Sequence, residues 1–265
     1  MIDLHCHILP SIDDGPETLA ESIELAHSLS RSGYRKIAAT PHMVPGTAWM
    51  PGVREVHEKV AALTEALRDR GVALEVFSGM EIALDPLIPD LLDQGRVLTL
   101  GSSSCLLIEL PFRQAPPGWE QVIFDLLAKG KSVLLAHPER CETFCANPAL
   151  IEEVINAGVY LQVNWGSLIG AYGKRAERTA LDLVASGRLH CLASDSHGMN
   201  NPIPRGLQTA MSAVVRRIGE RNLHKLTVEN PLRLLRGEPV SELEIPSGME
   251  VKQKPWWRFW HRRAC

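Results

Sequence analysis

Short runs of apolar residues punctuate the chain at 2–4, 36–40, 74–78, 106–108, 132–136, 160–163 and 190–194. Their length suits strands buried in a sheet. Between them, apolar positions recur at helical spacing. Residues 17–31 set Leu19, Ile23, Ala26 and Leu29 close to one face, and 53–70, 86–94, 119–129, 148–157 and 174–186 predict further helices. The third of these is short and proline-punctuated. Gly33, Gly71, Gly95, Gly130, Gly158 and Gly187 follow these stretches, where a left-handed residue commonly ends a helix. Past the last run, 207–218 predicts a final barrel helix, and 223–235 a further helical segment interrupted by Asn230-Pro231. Alternating strands and helices imply a parallel sheet with right-handed crossovers. Seven such units predict an α/β fold closed as a (β/α)7 barrel, one strand fewer than the common eight.

The polar residues at the ends of the runs are unusual. The first run delivers His5-Cys6-His7, the second His42, the third Glu81, the fourth Glu109 and the fifth His137. The seventh delivers Asp195 and His197, while the sixth offers only Asn164. An open doubly wound sheet would give the same alternation of elements, but it would not gather side chains from nearly every strand. In a closed barrel these residues converge at the C-terminal mouth. Asp14, in the loop after the first strand, adds a carboxylate. The candidate metal ligands are therefore His5, His7, Asp14, His42, Glu81, Glu109, His137, Asp195 and His197. Histidine nitrogens and carboxylate oxygens suit borderline to hard divalent ions. Nine ligands exceed what one ion with an open position needs, so three ions with bridging carboxylates are expected. With neutral histidines and four carboxylates, three divalent ions leave a surplus of about +2, which a dianionic phosphate monoester would neutralise. Asp13 reads as a turn residue, and Glu139 as solvent-facing or orienting Arg140. His27, His57, His190, His224 and His261 are set aside as structural or surface residues.

A length of 265 residues suits one such barrel. A net charge of −3 argues against a nucleic-acid partner, and no apolar run is long enough to span a bilayer. Met1 leads straight into a ligand-bearing strand, so the N-terminus reads as lacking a signal peptide. The cysteines (Cys6, Cys105, Cys141, Cys145, Cys191 and Cys265) suggest no disulfide framework. Reduced thiols and a cytoplasmic location are expected. No cysteine is followed six residues later by arginine, so the phosphate loop of thiol-dependent tyrosine phosphatases is absent.

Taken in order, His5-Cys-His7, Asp13-Asp-Gly-Pro16, Thr40-Pro-His42, Gly79-Met-Glu81, Glu109-Leu-Pro111, His137-Pro-Glu-Arg140 and Ser194-Asp-Ser-His197 resemble the motifs of the PHP (polymerase and histidinol phosphatase) superfamily. Within it they most resemble the bacterial protein-tyrosine phosphatases of capsule and exopolysaccharide synthesis, the CpsB/CapC-like type. The resemblance runs from residue 1 to about 236. It implies a distorted seven-stranded barrel with a trinuclear centre, commonly active with manganese; iron, zinc or magnesium are alternatives. By motif, His5, His7, Glu81 and Asp195 would hold one ion, Glu81, Glu109 and His137 the second, and Asp14, His42 and His197 the third. Arg140 would bind phosphate. The family's second phosphate-binding arginine normally follows the Asp-x-His motif closely. Here Arg205 comes later, and its role is left as an expectation.

The resemblance also implies a phosphotyrosine protein substrate, an autophosphorylating bacterial tyrosine kinase. Two other functions use the same residues: hydrolysis of histidinol phosphate or another small phosphomonoester, and non-catalytic regulation of polysaccharide assembly. The barrel is read as 1–236, followed by a tail, 237–265, that is Pro- and Glu-rich and then Trp- and Arg-rich. In that tail, Lys252, Lys254, Arg258, Arg262 and Arg263 surround Trp256, Trp257, Phe259 and Trp260. Such a mixture suits peripheral contact at the inner face of the cytoplasmic membrane, or packing of the tryptophans against the barrel or another subunit of a homo-oligomer.

Overall fold

The computed structural model describes residues 1–199 and 203–244, with the side chains of 203–205 left out. Residues 252–265, which carry the expected membrane contact, lie outside the described residues, as does the side chain of Arg205.

The expected alternation is present. Strand β1 (Ile2–Cys6) leads to helix α1 (Leu19–Arg31), and β2 (Lys36–Ala39) continues as β3 (His42–Met43) before α2 (Val53–Asp69). Next, β4 (Glu75–Ser78) continues as β5 (Glu81–Ala83) before the short α3 (Ile88–Asp93). Then come β6 (Cys105–Glu109), α4 (Trp119–Ala128), β7 (Ser132–Ala136), α5 (Glu142–Ala146), α6 (Ala149–Asn156) and β8 (Tyr160–Asn164). After α7 (Trp165–Leu168) and α8 (Lys174–Ser186), β9 (Cys191–Ala193) ends the sheet, and α9 (Ile203–His224) and α10 (Asn230–Arg236) follow.

All strand pairs are parallel, in the orders β1-β2-β4 and β3-β5-β6-β7-β8-β9. Two of the expected strands are each split where they reach the mouth. Pro41 and the Gly79-Met80 pair interrupt them, and Glu81 N donates to the Pro41 carbonyl at 3.0 Å across the break. Gly79 fits closely there, since a Cβ would lie 3.0 Å from the Leu100 side chain and 3.3 Å from that of Thr40. The circuit closes where Cys6 bridges Ser196 in parallel, with Asp195 N donating to His5 O and His7 N to Ser196 O, each at 2.9 Å. The distorted barrel is therefore seven strand positions around, two of them broken.

Capping explains why α1 starts later than the periodicity suggested. Thr18 accepts from Glu21 N, and Glu21 accepts from Thr18 N, a reciprocal box that begins the helix at Leu19. Further on, α9 breaks at Gly219 (φ 81°, ψ 165°), close to the expected end at 218, and a π-helical segment, Lys225–Glu229, joins its second part to α10. Asn230-Pro231 opens α10 instead of breaking it, since proline fits a first helical turn.

Alternate strand positions serve two layers. Leu106, Ile108, Val133, Leu135, Leu161 and Val163 face the helices. Leu4, Ala38, Leu107, Leu134 and Cys191, joined by Leu234 of α10, form a second cluster. Leu107 and Glu109 share one face of β6, so this apolar cluster leads directly up to the polar mouth. A bulge in β1 pairs Asp3 with Ile37 but Cys6 with Ala39. Asp3 is fully buried and accepts from His5 N and Ser194 N.

Candidate metal centre

All nine candidate residues, eight from strand ends and Asp14 from the loop after β1, converge. Four overlapping groups of donor atoms form: His5, His7 and Glu81; His5, His137 and Asp195; His42, Glu81 and Glu109; and His7, Asp14, His42 and His197. Glu81 lies at the centre, within 2.9 Å of both His137 Nε2 and His42 Nδ1 and 3.2 Å from the Nε2 atoms of His5 and His7. Asp14 and His197 sit at the open rim, 3.2 Å apart. His137 and Asp195 adopt positive φ values of 30° and 50°. Left-handed backbone at these strand ends turns their side chains into the mouth, a strain of the kind found at functional sites.

Gly15 explains the Asp-Asp-Gly-Pro turn. A Cβ there would meet the His7 carbonyl oxygen at 2.5 Å, so only glycine lets this loop fold against β1 and bring Asp14 to the rim. Asp13 does more than form a turn. Its Oδ2 accepts from His7 Nδ1 at 2.7 Å and from His42 N at 3.0 Å, and its Oδ1 from Gly15 N. Its pKa is lowered: burial opposes the charge, but the hydrogen bond and charge of His7, with the Gly15 and His42 amides, together outweigh it.

The amides of β8 fix a second histidine. Asp195 Oδ2 can only accept, so Asn164 Nδ2 donates to it at 2.7 Å, leaving Asn164 Oδ1 to accept from Gln162 Nε2 at 2.6 Å. Gln162 Oε1 must then accept from His5 Nδ1, 2.9 Å away. His5 therefore carries its proton on Nδ1, and so does His7 against Asp13. Their bare Nε2 lone pairs face each other 3.1 Å apart, beside Glu81 and Asp195. Two facing lone pairs ringed by carboxylates require a cation. Without one, protons must serve: burial opposes a charged His5, yet Glu81 and Asp195 raise its pKa to about 9. His7 is likewise raised against the cost of burial by Asp13 and Glu81. Burial also opposes charge on Glu81, but His5, His137 and His42 hold it well below the usual carboxylate range. Glu81 Oε2 and His42 Nδ1 are buried without a hydrogen-bond partner, although they are close together, as donors aimed at a common ion would be. The residues present fit divalent cations, with orientation set by Asp13 and Gln162 in the way metal-binding histidines usually require.

Arg140 lies at the same mouth. Its Nη1 donates to Asp195 Oδ2 at 2.7 Å, and its guanidinium is sandwiched between the Phe112 and Tyr172 rings at 4.2 and 4.1 Å. Glu139 is fully buried rather than solvent-facing. Its Oε1 accepts from Asn164 N and Ser167 Oγ, tying the turn that carries Arg140 to β8 and α7. His190 is structural, as expected: its Nδ1 accepts from Leu161 N. A cavity of about 450 Å³ opens over the cluster, lined by Trp49, Phe112, Tyr172, Arg140 and the more exposed ligands. Sequence reading missed Gln162, Trp49, Phe112 and Tyr172. The available signal was their place: Gln162 lies two residues before Asn164 on one strand, Trp49 and Phe112 lie in loops that follow strands bearing candidate ligands, and Tyr172 lies in the connection after β8.

The family model for capsular polysaccharide synthesis, CpsB/CapC, matches residues 1–236. The chain belongs to this family. The tyrosine-protein phosphatase YwqE of Bacillus subtilis is 35% identical over 242 residues, 91% of this chain and 93% of YwqE. The tyrosine-protein phosphatase CpsB of Streptococcus pneumoniae is 27% identical over 242 residues, 89% of this chain and 98% of CpsB. A crystal structure from work on these two proteins, described there as unique metal-dependent tyrosine phosphatases, matches with a TM-score of 0.85 and 34% identity. It covers 93% of this chain and 98% of that one. The lactonase Lmo2620 of Listeria monocytogenes shares the fold at a TM-score of 0.56 and 13% identity, covering 91% and 95%. The resemblance read from the ordered motifs is thus borne out at the level of family and fold. No helix among the described residues is long and apolar enough to cross a membrane.

Proposed function

We propose that this chain is a metal-dependent protein-tyrosine phosphatase of capsular and exopolysaccharide synthesis, and that its substrate is an autophosphorylating bacterial tyrosine kinase. The observation that carries this reading is the convergence of nine histidine and carboxylate ligands beside a positioned arginine. In the proposal there are three divalent ions, manganese foremost, two of which would share Glu81. His5, His7 and Asp195 complete one set, Glu109 and His137 the second, and Asp14, His42 and His197 the third.

Such ions, when bound, supply water activated near neutral pH and neutralise phosphoryl charge. The protein's own contribution is orientation. Asp13 and Gln162 hold the proton of His7 and His5 on Nδ1, leaving Nε2 free to ligate. Arg140 spends one N–H on Asp195 and keeps the others for nonbridging phosphate oxygens. A phenolate leaving group, with a pKa of about 10, departs with less acid assistance than an alkoxide. Thiol chemistry gets no support from the fold. Burial pushes Cys105 up to about 12 and raises Cys6 and Cys191 well above the ordinary range.

Metal-stripped protein should be inactive on phosphotyrosyl peptide, and manganese, magnesium, zinc and iron restored singly should rank the metals. Glu81→Ala should lose metal and turnover together. Activity that survives stripping, or preference for histidinol phosphate over phosphotyrosyl peptide, would overturn the proposal. A metal-loaded but inert protein would instead favour the regulatory alternative.

A further inference from the structure

We infer that Trp49 and Phe112 form a preset clamp for the phenyl ring of phosphotyrosine, making them the residues that select aryl over alkyl phosphate monoesters. This rests on the phosphatase reading above and adds the side of the site that faces the leaving group. The metal ligands and Arg140 account for recognition of phosphate, but nothing in that set distinguishes one ester from another. The cavity above them is walled by rings. The Trp49 indole stacks on His42, 5.1 Å between centroids and 11° from parallel. Phe112 lies against Arg140 on another wall and approaches His137 at 5.6 Å.

Both rings remain 41% and 43% exposed inside the cavity, whereas Trp119, Phe144 and Trp165 are buried; Phe124, on α4 and outside the cavity, is also exposed. Apolar surface left open at the mouth of a polar cavity is surface reserved for a ligand. The loops carrying it are also tied down. Thr47 Oγ1 donates to Val44 O and accepts from Trp49 N, while Val44 N donates to Trp49 O. The Phe112 loop is pinned where Glu142 N donates to Phe112 O and Ala115 N to Thr143 Oγ1. The rings are therefore held in place ahead of binding, so little ordering cost opposes the stacking of a phenyl group.

The test compares competitive inhibition by phenylphosphonate and by inorganic phosphate on the manganese-loaded full chain, with metal content measured in each variant. In Trp49→Ala and Phe112→Ala, the Ki for phenylphosphonate and the KM for phosphotyrosyl peptide should each rise about tenfold, the scale of one lost aromatic contact with its buried area. The Ki for inorganic phosphate and the metal content should hold. Trp49→Phe and Phe112→Tyr should recover most of the loss. If both inhibitors weaken in parallel, the rings only support His42 and Arg140, and the clamp is refuted; if neither weakens, it is refuted equally. Failure of the wild-type chain to hydrolyse any phosphate ester would instead sink the phosphatase reading, so the two failures are separable.

Discussion

Replacing Gln162 by leucine should weaken metal binding without unfolding the barrel. Gln162 is fully buried and makes two hydrogen bonds within the site, accepting from His5 Nδ1 at 2.9 Å and donating to Asn164 Oδ1 at 2.6 Å. Leucine is similar in size, so packing against β7 and β9 survives. What changes is proton placement. The His5 Nδ1–H loses its acceptor, and the tautomer that bares Nε2 is no longer enforced. Each buried group left unpaired costs roughly 1–3 kcal/mol. Part of that is relieved in metal-free protein, where His5 can reorient or shift its proton, so the remainder appears as lost affinity. Removing a partner that orients a metal-binding histidine costs about 10–100-fold in affinity, or roughly 1.4–2.7 kcal/mol. The assay is a metal titration followed by turnover, with kcat read at saturating metal. Gln162→Glu keeps an acceptor for His5 and should lose less than Gln162→Leu. Unchanged metal affinity in Gln162→Leu would refute the relay from Asp195 through Asn164 and Gln162 to His5. So would a loss of turnover that excess metal fails to recover.

Other outcomes follow from particular side chains. Arg140→Ala should retain metal yet lose roughly 2–4 kcal/mol of transition-state stabilisation, read as kcat/KM alongside metal content; Arg205→Ala, measured beside it, should show a smaller loss only if that side chain reaches the phosphate. His190 is buried, and desolvation followed by the Arg188 charge lowers its pKa from 6.5 to about 4. The unfolded chain therefore takes up the proton first as pH falls, and stability should drop between about pH 6.5 and 4, by about 3 kcal/mol at 1.36 kcal/mol per unit. Denaturant melts across that range should show a smaller fall in His190→Gln; an identical fall would place the titration elsewhere. Deleting residues 252–265 should abolish sedimentation with anionic vesicles, and equal pelleting of full-length and truncated protein would refute membrane contact by that segment.

The seven apolar runs and the glycine-stopped helical stretches between them were legible directly, because strand and helix periods differ and their alternation admits few topologies. The convergence of eight of the nine candidate ligands was legible too, since a parallel barrel brings the ends of its strands to one mouth; the ninth, Asp14, arrives on the loop after β1. Closure alone turned residues as distant as His5 and Asp195 into neighbours, and strand alternation chose which side chains entered. The roles of Gln162, Asn164 and Asp13 could not be read in this way. An amide two residues from a strand end is common, and only the acceptor-only Asp195 beside Asn164 gives its orientation a meaning. Glu139, read as solvent-facing or orienting Arg140, is buried and does the second: Ser167 and the Asn164 backbone N–H anchor it and the turn that carries Arg140. The sandwich of Arg140 joins loops contributed by residues 112 and 172, more than 50 positions apart in the chain. Periodicity and composition act along the chain and so determine which elements form. Proton positions, carboxylate sharing and ring stacking depend on distances across it, and those exist only once the barrel has closed.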